Sequence, residues 1–204
     1  MSNQQRDVLK REDAMVVAAL RDVGIIASSV YDLVNSKQPY PQAIPVLLKF
    51  LPSVSNDRIK EGVARALGVK EAKPIAAETL IREFEKYPSE TPSQQHTKWA
   101  IAHALATVAD DSVFHEIVSL LDDKAQGWAR SGMVPALCNM VMHRERAITL
   151  LMKLLDDDEV KVQAMIALGN LRVLQARARI EVFLKHNDSW VRQQAKRAIL
   201  KIDR

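Results

Sequence analysis

The chain has 204 residues, of which 48% are apolar and 26% charged, with a net charge of +4. That balance is enough for a sizeable buried core and excludes an intrinsically disordered chain. The lone Cys138 cannot close an internal disulfide, residues 1–13 lack the apolar run of a signal peptide, and no stretch approaches the roughly 18 apolar residues of a membrane span, so a single-domain cytoplasmic protein without a membrane partner is expected.

Aromatic residues are scarce at 5%, and Ala, Leu, Val, Lys, Arg and Glu dominate, which favours helix over sheet. Residues 5–22 predict a first helix with Val8, Met15, Ala18 and Ala19 facing the next element, ended by Gly24. Residues 25–35 predict a short second helix capped by Ser28 or Ser29, with Pro39 and Pro41 in the loop beyond. Apolar residues spaced at three and four then mark first helices within 43–51, 74–87, 112–123, 145–157 and 177–187. Each is followed by a second helix, beginning at Asp57, near Gln94 or Gln95, near Gln126, at Asp157 or Asp158, and at Asp188 or Ser189. Asp, Ser and Asn at such starts accept hydrogen bonds from the open N–H groups of a first turn, which accounts for the acidic pairs without a metal. Pro88 and Pro92 predict an extended polar loop over 85–98, and Pro135 predicts a kink within a helix over 128–142.

The second helices share a plan: a cap, an apolar residue, a basic residue, then an Ala-Leu pair. The basic residues are Lys60, Lys98, Arg130, Lys161 and Arg192, at steps of 38, 32, 31 and 31, and the pairs from Ala66-Leu67 to Ala198-Ile199 keep the same steps. A helical period of this length means a solenoid. The expected fold is therefore all-α, with an N-terminal capping pair over 1–38 and repeats over 39–70, 71–109, 110–142, 143–172 and 173–204. The pattern is clearest in Asp158 to Gly169 and Asp188 to Leu200. It resembles the HEAT repeat in its short form, the kind named after phycobilisome lyases, over about residues 40–204. The resemblance implies a right-handed superhelix with the second helices along its concave side, commonly a protein-binding surface. The same repeat serves adaptors, lyases, hydroxylases and nucleic-acid enzymes, so it specifies fold more than function.

Numbering each second helix from the residue before its basic residue, positions one, five, eight and nine are core, as in Val160, Ala164, Ala167 and Leu168. Positions three and seven make a second stripe: Glu61 and Arg65, Trp99 and His103, Ser131 and Pro135, Val162 and Ile166, Gln193 and Arg197. A stripe apolar in its middle and charged at its ends fits a protein-binding surface, with Trp99 as anchor and Arg65, Arg130 and Arg197 as charged neighbours. The other reading is that these side chains pack between repeats. The basic residues themselves could form a phosphate-binding ladder. The resemblance implies instead that Lys60, Lys98, Lys161 and Arg192 pair structurally with acids such as Asp157, Asp158 and Asp188.

Residues 172–204 carry nine basic and three acidic residues, a net of +6 that leaves −2 for the rest. This end suits an acidic partner or simply solvates a terminal repeat. The five histidines show no metal-ligand spacing, and Cys138 has no His and Asp arrangement beside it, so neither metal, cofactor nor catalytic residue is assigned. The expected function is a monomeric, non-enzymatic scaffold that binds another protein. Nucleic-acid binding through the basic ladder, or a bilin-lyase-like action on a partner protein, are the alternatives.

Overall fold

The computed structural model describes residues 3–204, and all regular structure among them is helical. No helix among them is long and apolar enough to cross a membrane. The chain forms two compact units, Met1–Val108 and Ala109–Arg204, divided at the end of the second expected repeat. Each unit is a stack of helix pairs, the all-α repeat architecture that the period predicts.

The first unit contains α1 (Asn3–Asp22), α2 (Tyr31–Val34), α3 (Ile44–Phe50), α4 (Asp57–Leu67), α5 (Ala77–Lys86) and α6 (Pro92–Val108). Its centre is α4, which packs on α2, α3 and α6 through the buried Ile59, Val63, Ala66 and Leu67. Burying one such Leu or Ile contributes about 1.5–3 kcal/mol. The inward line of α1 is Glu12, Val16 and Leu20, while Met15 and Ala18 face solvent. A periodicity that scores only apolar residues rejects that line because Glu12 interrupts it. Its carboxylate has structural work: it accepts hydrogen bonds from Ser55 Oγ (2.6 Å), Ser55 N (3.0 Å) and Asn56 N (2.9 Å) at the entrance to α4. Asn56 in turn caps α4 by accepting from Arg58 N and Ile59 N.

Burial alone would raise the pKa of Glu12, but the Ser55 hydroxyl and the amides of Asn56 and Ser55 outweigh it, and the carboxyl lies below its ordinary value of 4.5. A folded pKa below the unfolded one contributes stability that is complete above the unfolded value and is lost as pH falls through the folded one. Glu12→Gln is therefore expected to cost about 1 kcal/mol at neutral pH, and the variant should lose less stability on acidification than the wild type. Urea titrations at about pH 7 and pH 3 check this. Equal acid sensitivity of the two chains would exclude this role for Glu12.

Two local expectations change. The loop before α6 is shorter than 85–98, because α6 begins at Pro92. Thr91 Oγ1 accepts from Gln94 N while Gln94 Oε1 accepts from the amides of Glu90 and Thr91, a reciprocal capping box with proline at the first helical position. The second helix, α2, is confined to Tyr31–Val34 rather than 25–35; Ser29 Oγ accepts from Tyr31 N (3.4 Å) at its start, and Asp32 reaches back to accept from Ser28 N (2.7 Å) and Ser29 N (3.3 Å).

The second unit contains α7 (Phe114–Asp122), α8 (Arg144–Leu154), α9 (Lys161–Asn170), α10 (Arg177–Glu181) and α11 (Ser189–Ile202). The expected kinked helix over 128–142 is absent; two 3₁₀ segments, Lys124–Gly132 and Val134–Asn139, replace it. Gly127 adopts φ 61°, ψ −155°, which breaks the helix before Arg130. Pro135 then has no N–H to return to the Ser131 carbonyl, and the chain tightens into shorter bonds such as Met133 N to Arg130 O and Ala136 N to Met133 O. Farther on, α9 starts at Lys161, after a turn in which Asp157 accepts from Glu159 N, so the predicted start at Asp157 or Asp158 is early. The second helices of the last two repeats meet where α11 rests on α9 at Gly169, at which a Cβ would come within 2.8 Å of Ala198 Cα; only glycine permits that approach.

Candidate functional site

The core positions of α4, α6 and α9 are buried, while positions three and seven of these helices are half-buried except at His103, which is exposed. In the first unit these positions carry Glu61, Arg65, Trp99 and His103. Glu61 and Arg65 stand one turn apart on α4, and Arg65 donates to Glu61 Oε1 from Nε at 2.8 Å. The ion pair holds the guanidinium carbon 5.7 Å from the centre of the Trp99 ring. Trp99 and His103, one turn apart on α6, stack with ring centres 4.9 Å apart and an interplanar angle of 30°. Guanidinium, indole and imidazole thus form one assembled platform, half-buried at Trp99 and exposed at His103. Partial burial of the imidazole, and then the Arg65 charge, hold the His103 pKa below its ordinary 6.5, so the ring is neutral at pH 7.

In the second unit Ser131 and Pro135 lie half-buried on the 3₁₀ segments, Val162 and Ile166 lie half-buried on α9, and Gln193 and Arg197 are exposed on α11. A groove of about 300 Å³ opens between α9 and α11, lined by Ile166, Gln194, Arg197, Leu200 and Lys201 among others. Gln194 is 4% exposed, and its Nε2 has no hydrogen-bond partner among the described residues. A buried donor left unpaired costs about 1–3 kcal/mol.

Arg130 leaves the surface list. Its side chain is 1% exposed, paired with Asp157 at 3.1 Å and Glu159 at 2.9 Å, and cannot meet a partner. Four of the five basic residues cap the carbonyl ends of the preceding helices, whereas Lys161 pairs with Asp158 at 2.6 Å and lies 3.2 Å from His186 Nε2. Lys60 Nζ donates to Leu51 O at 2.7 Å, Lys98 Nζ to Tyr87 O at 2.8 Å and Arg130 Nη1 to Leu121 O at 2.8 Å. Arg192 Nη1 donates to His186 O and Asn187 O. These carbonyls are the open acceptors at a helix C-terminus, where a cation also meets the negative end of the dipole. Carboxylates join as second partners at two of the capping cations, Glu83 at Lys60 and Asp157 at Arg130. Asp188 caps α11 through Trp190 N at 2.7 Å rather than pairing with Arg192. Each of these cations follows the end of a first helix by a short interval, which puts those carbonyls within reach but does not single them out from carboxylates or solvent.

Cys138 packs against α9 with Sγ 3.9 Å from Ala167 O, and burial pushes its thiol pKa up, opposite to what a nucleophile needs. A larger cavity of about 680 Å³ lies at the N-terminal ends of α4 and α6. Glu12, Asn56 and Thr91 already occupy the amides there.

No family model matches this chain, and no curated protein matches it. Among solved structures it is similar to an engineered protein from a structural genomics consortium, with a TM-score of 0.47 and 19% identity over 99% of this chain and 97% of that one. It is also similar to a designed armadillo repeat protein, with a TM-score of 0.46 and 15% identity over 92% of this chain and 99% of that one. Likenesses at this level carry no function to the chain.

Proposed function

We propose that this protein is a HEAT-like, non-enzymatic scaffold that binds another protein through the outer faces of its second helices. The observation that carries the reading is the Arg65, Trp99 and His103 platform. Its side chains are already ordered against one another, so association would immobilise little that is free, and a partner gains a flat aromatic anchor with a charged edge at Glu61. Val162 and Ile166 offer a matching apolar face in the second unit, with Gln193 and Arg197 as its polar rim. A cytoplasmic location belongs to this reading, with Cys138 as an unpaired thiol.

Binding along a nucleic-acid backbone is disfavoured by the burial of Lys60, Lys98 and Arg130, whose charges are committed to carbonyls and carboxylates. The test is capture of partners from the native cell by the tagged wild type and by Trp99→Ala, both checked for helical content. A partner identified with the wild type should bind the variant roughly 30-fold more weakly. If every identified partner binds both chains equally, the platform is not the contact surface.

A further inference from the structure

The groove between α9 and α11 has a chemistry of its own. Gln194, Arg197 and Lys201 follow one another along a single face of α11 at steps of three and four residues. Ile166 and Leu200 supply apolar walls, and Leu200 is 52% exposed. No acidic residue lines the groove, and no ion pair engages Arg197 among the described residues. Lys201 Nζ is held across to Asn170 Oδ1 at 2.6 Å, which fixes a positive charge at the rim. At the floor, the Gln194 amide carries the unpaired donor, and its terminal torsion is soft enough to turn that donor into the groove.

We propose that this groove receives a glutamate or aspartate side chain of the partner protein, flanked by an aliphatic residue: the carboxylate is held by Gln194 Nε2, Arg197 and Lys201, and the neighbour lies on Ile166 and Leu200. The inference rests on the protein-binding reading above and names the partner's chemistry. A carboxylate supplies both the acceptor that Gln194 lacks and the negative charge that Arg197 lacks. The volume of about 300 Å³ suits one or two side chains. Apolar walls on both sides favour a peptide over a nucleic-acid backbone, which needs cations on an open, solvated track.

The test is fluorescence anisotropy of the full chain with a labelled short peptide of alternating Glu and Leu, beside its Gln and Leu analogue. The acidic peptide should bind at least roughly tenfold more tightly than the analogue. Arg197→Glu with Lys201→Glu should abolish the difference; both side chains are exposed, so the fold should survive. Gln194→Met keeps the volume and removes the donor, and should weaken binding several-fold. Trp99→Ala should leave peptide affinity unchanged. The proposal is overturned if the acidic peptide does not bind, if the two peptides bind equally, if the charge reversal has no effect, or if Trp99→Ala weakens the peptide as much as the reversal does. Displacement of the peptide by a single-stranded oligonucleotide that binds more tightly, with steep salt dependence, would assign the groove to nucleic acid and overturn it equally. Failure in the peptide assay with partner capture still dependent on Trp99 removes the groove alone. Capture that depends on neither site removes the protein-binding reading.

Discussion

Replacing Lys60 by alanine is expected to destabilise the first unit by about 3–5 kcal/mol, because it strands a charge in the core. Lys60 and Glu83 form a direct ion pair in which both side chains are only 4% exposed. Lys60 also caps the carbonyl of Leu51, and its Nζ lies 5.2 Å from the centre of the Tyr87 ring. Lys86 approaches the other Glu83 oxygen at 3.1 Å, an ion contact without an aligned hydrogen bond, and its side chain is mostly in solvent. It therefore compensates poorly for the loss of Lys60. Taking away both charges is a different experiment. Lys60→Met with Glu83→Leu should recover most of the lost stability, because the desolvation cost of the pair disappears together with its attraction. Hydrogen exchange of peptides from α4 and α5 reads both effects. A loss under about 1 kcal/mol in Lys60→Ala would mean that the pair contributes no more than a surface bridge.

Arg130→Ala should have the second largest effect, about 3 kcal/mol, confined to the second unit. Here a single guanidinium holds together a 3₁₀ segment, the end of α7 and the turn before α9. It donates to Gly127 O at 3.0 Å, to Leu121 O at 2.8 Å and to both Asp157 and Glu159. Burial works to lower its pKa, but the hydrogen bonds and charges of Asp157 and Glu159 prevail and raise it, so the cation persists at any accessible pH. The two acids are not equal. Asp157 is 14% exposed and Glu159 45%, so solvent screens the second, and Glu159→Gln should cost under about 1 kcal/mol. Urea unfolding of the three chains, with exchange in α7 and α9 as the local readout, separates these outcomes. An Arg130→Ala chain as stable as the wild type would show that the junction is held by apolar packing alone.

Both predictions concern residues that the sequence singles out by period while leaving their partners open. A long cationic side chain just after a helix end can reach that helix's last carbonyls, a neighbouring carboxylate or solvent, and spacing along the chain does not distinguish them. The choice at Lys60 depends on how α4 lies against α5, and at Arg130 on where the turn before α9 passes. The same limit applies to Gln194. In sequence it is one polar residue among others on a basic helix; only the approach of α11 to α9 at Gly169 and Ala198 buries it without a partner.

Local rules, legible in the chain alone, set the helical class, the repeat period and the core positions of each second helix, and left open whether the stripe of Glu61, Arg65, Trp99, His103, Val162 and Ile166 faces solvent or packs between repeats. These follow from apolar periodicity and capping, which act within a few turns of one helix. Tertiary structure alone decided the inward line of α1, where Glu12 is buried because α4 presents free amides to it. It also decided the carbonyl partners of the buried cations and the stacking of Arg65 on Trp99. Each of these joins residues from different helices, and their free energy exists only once the backbones are in place.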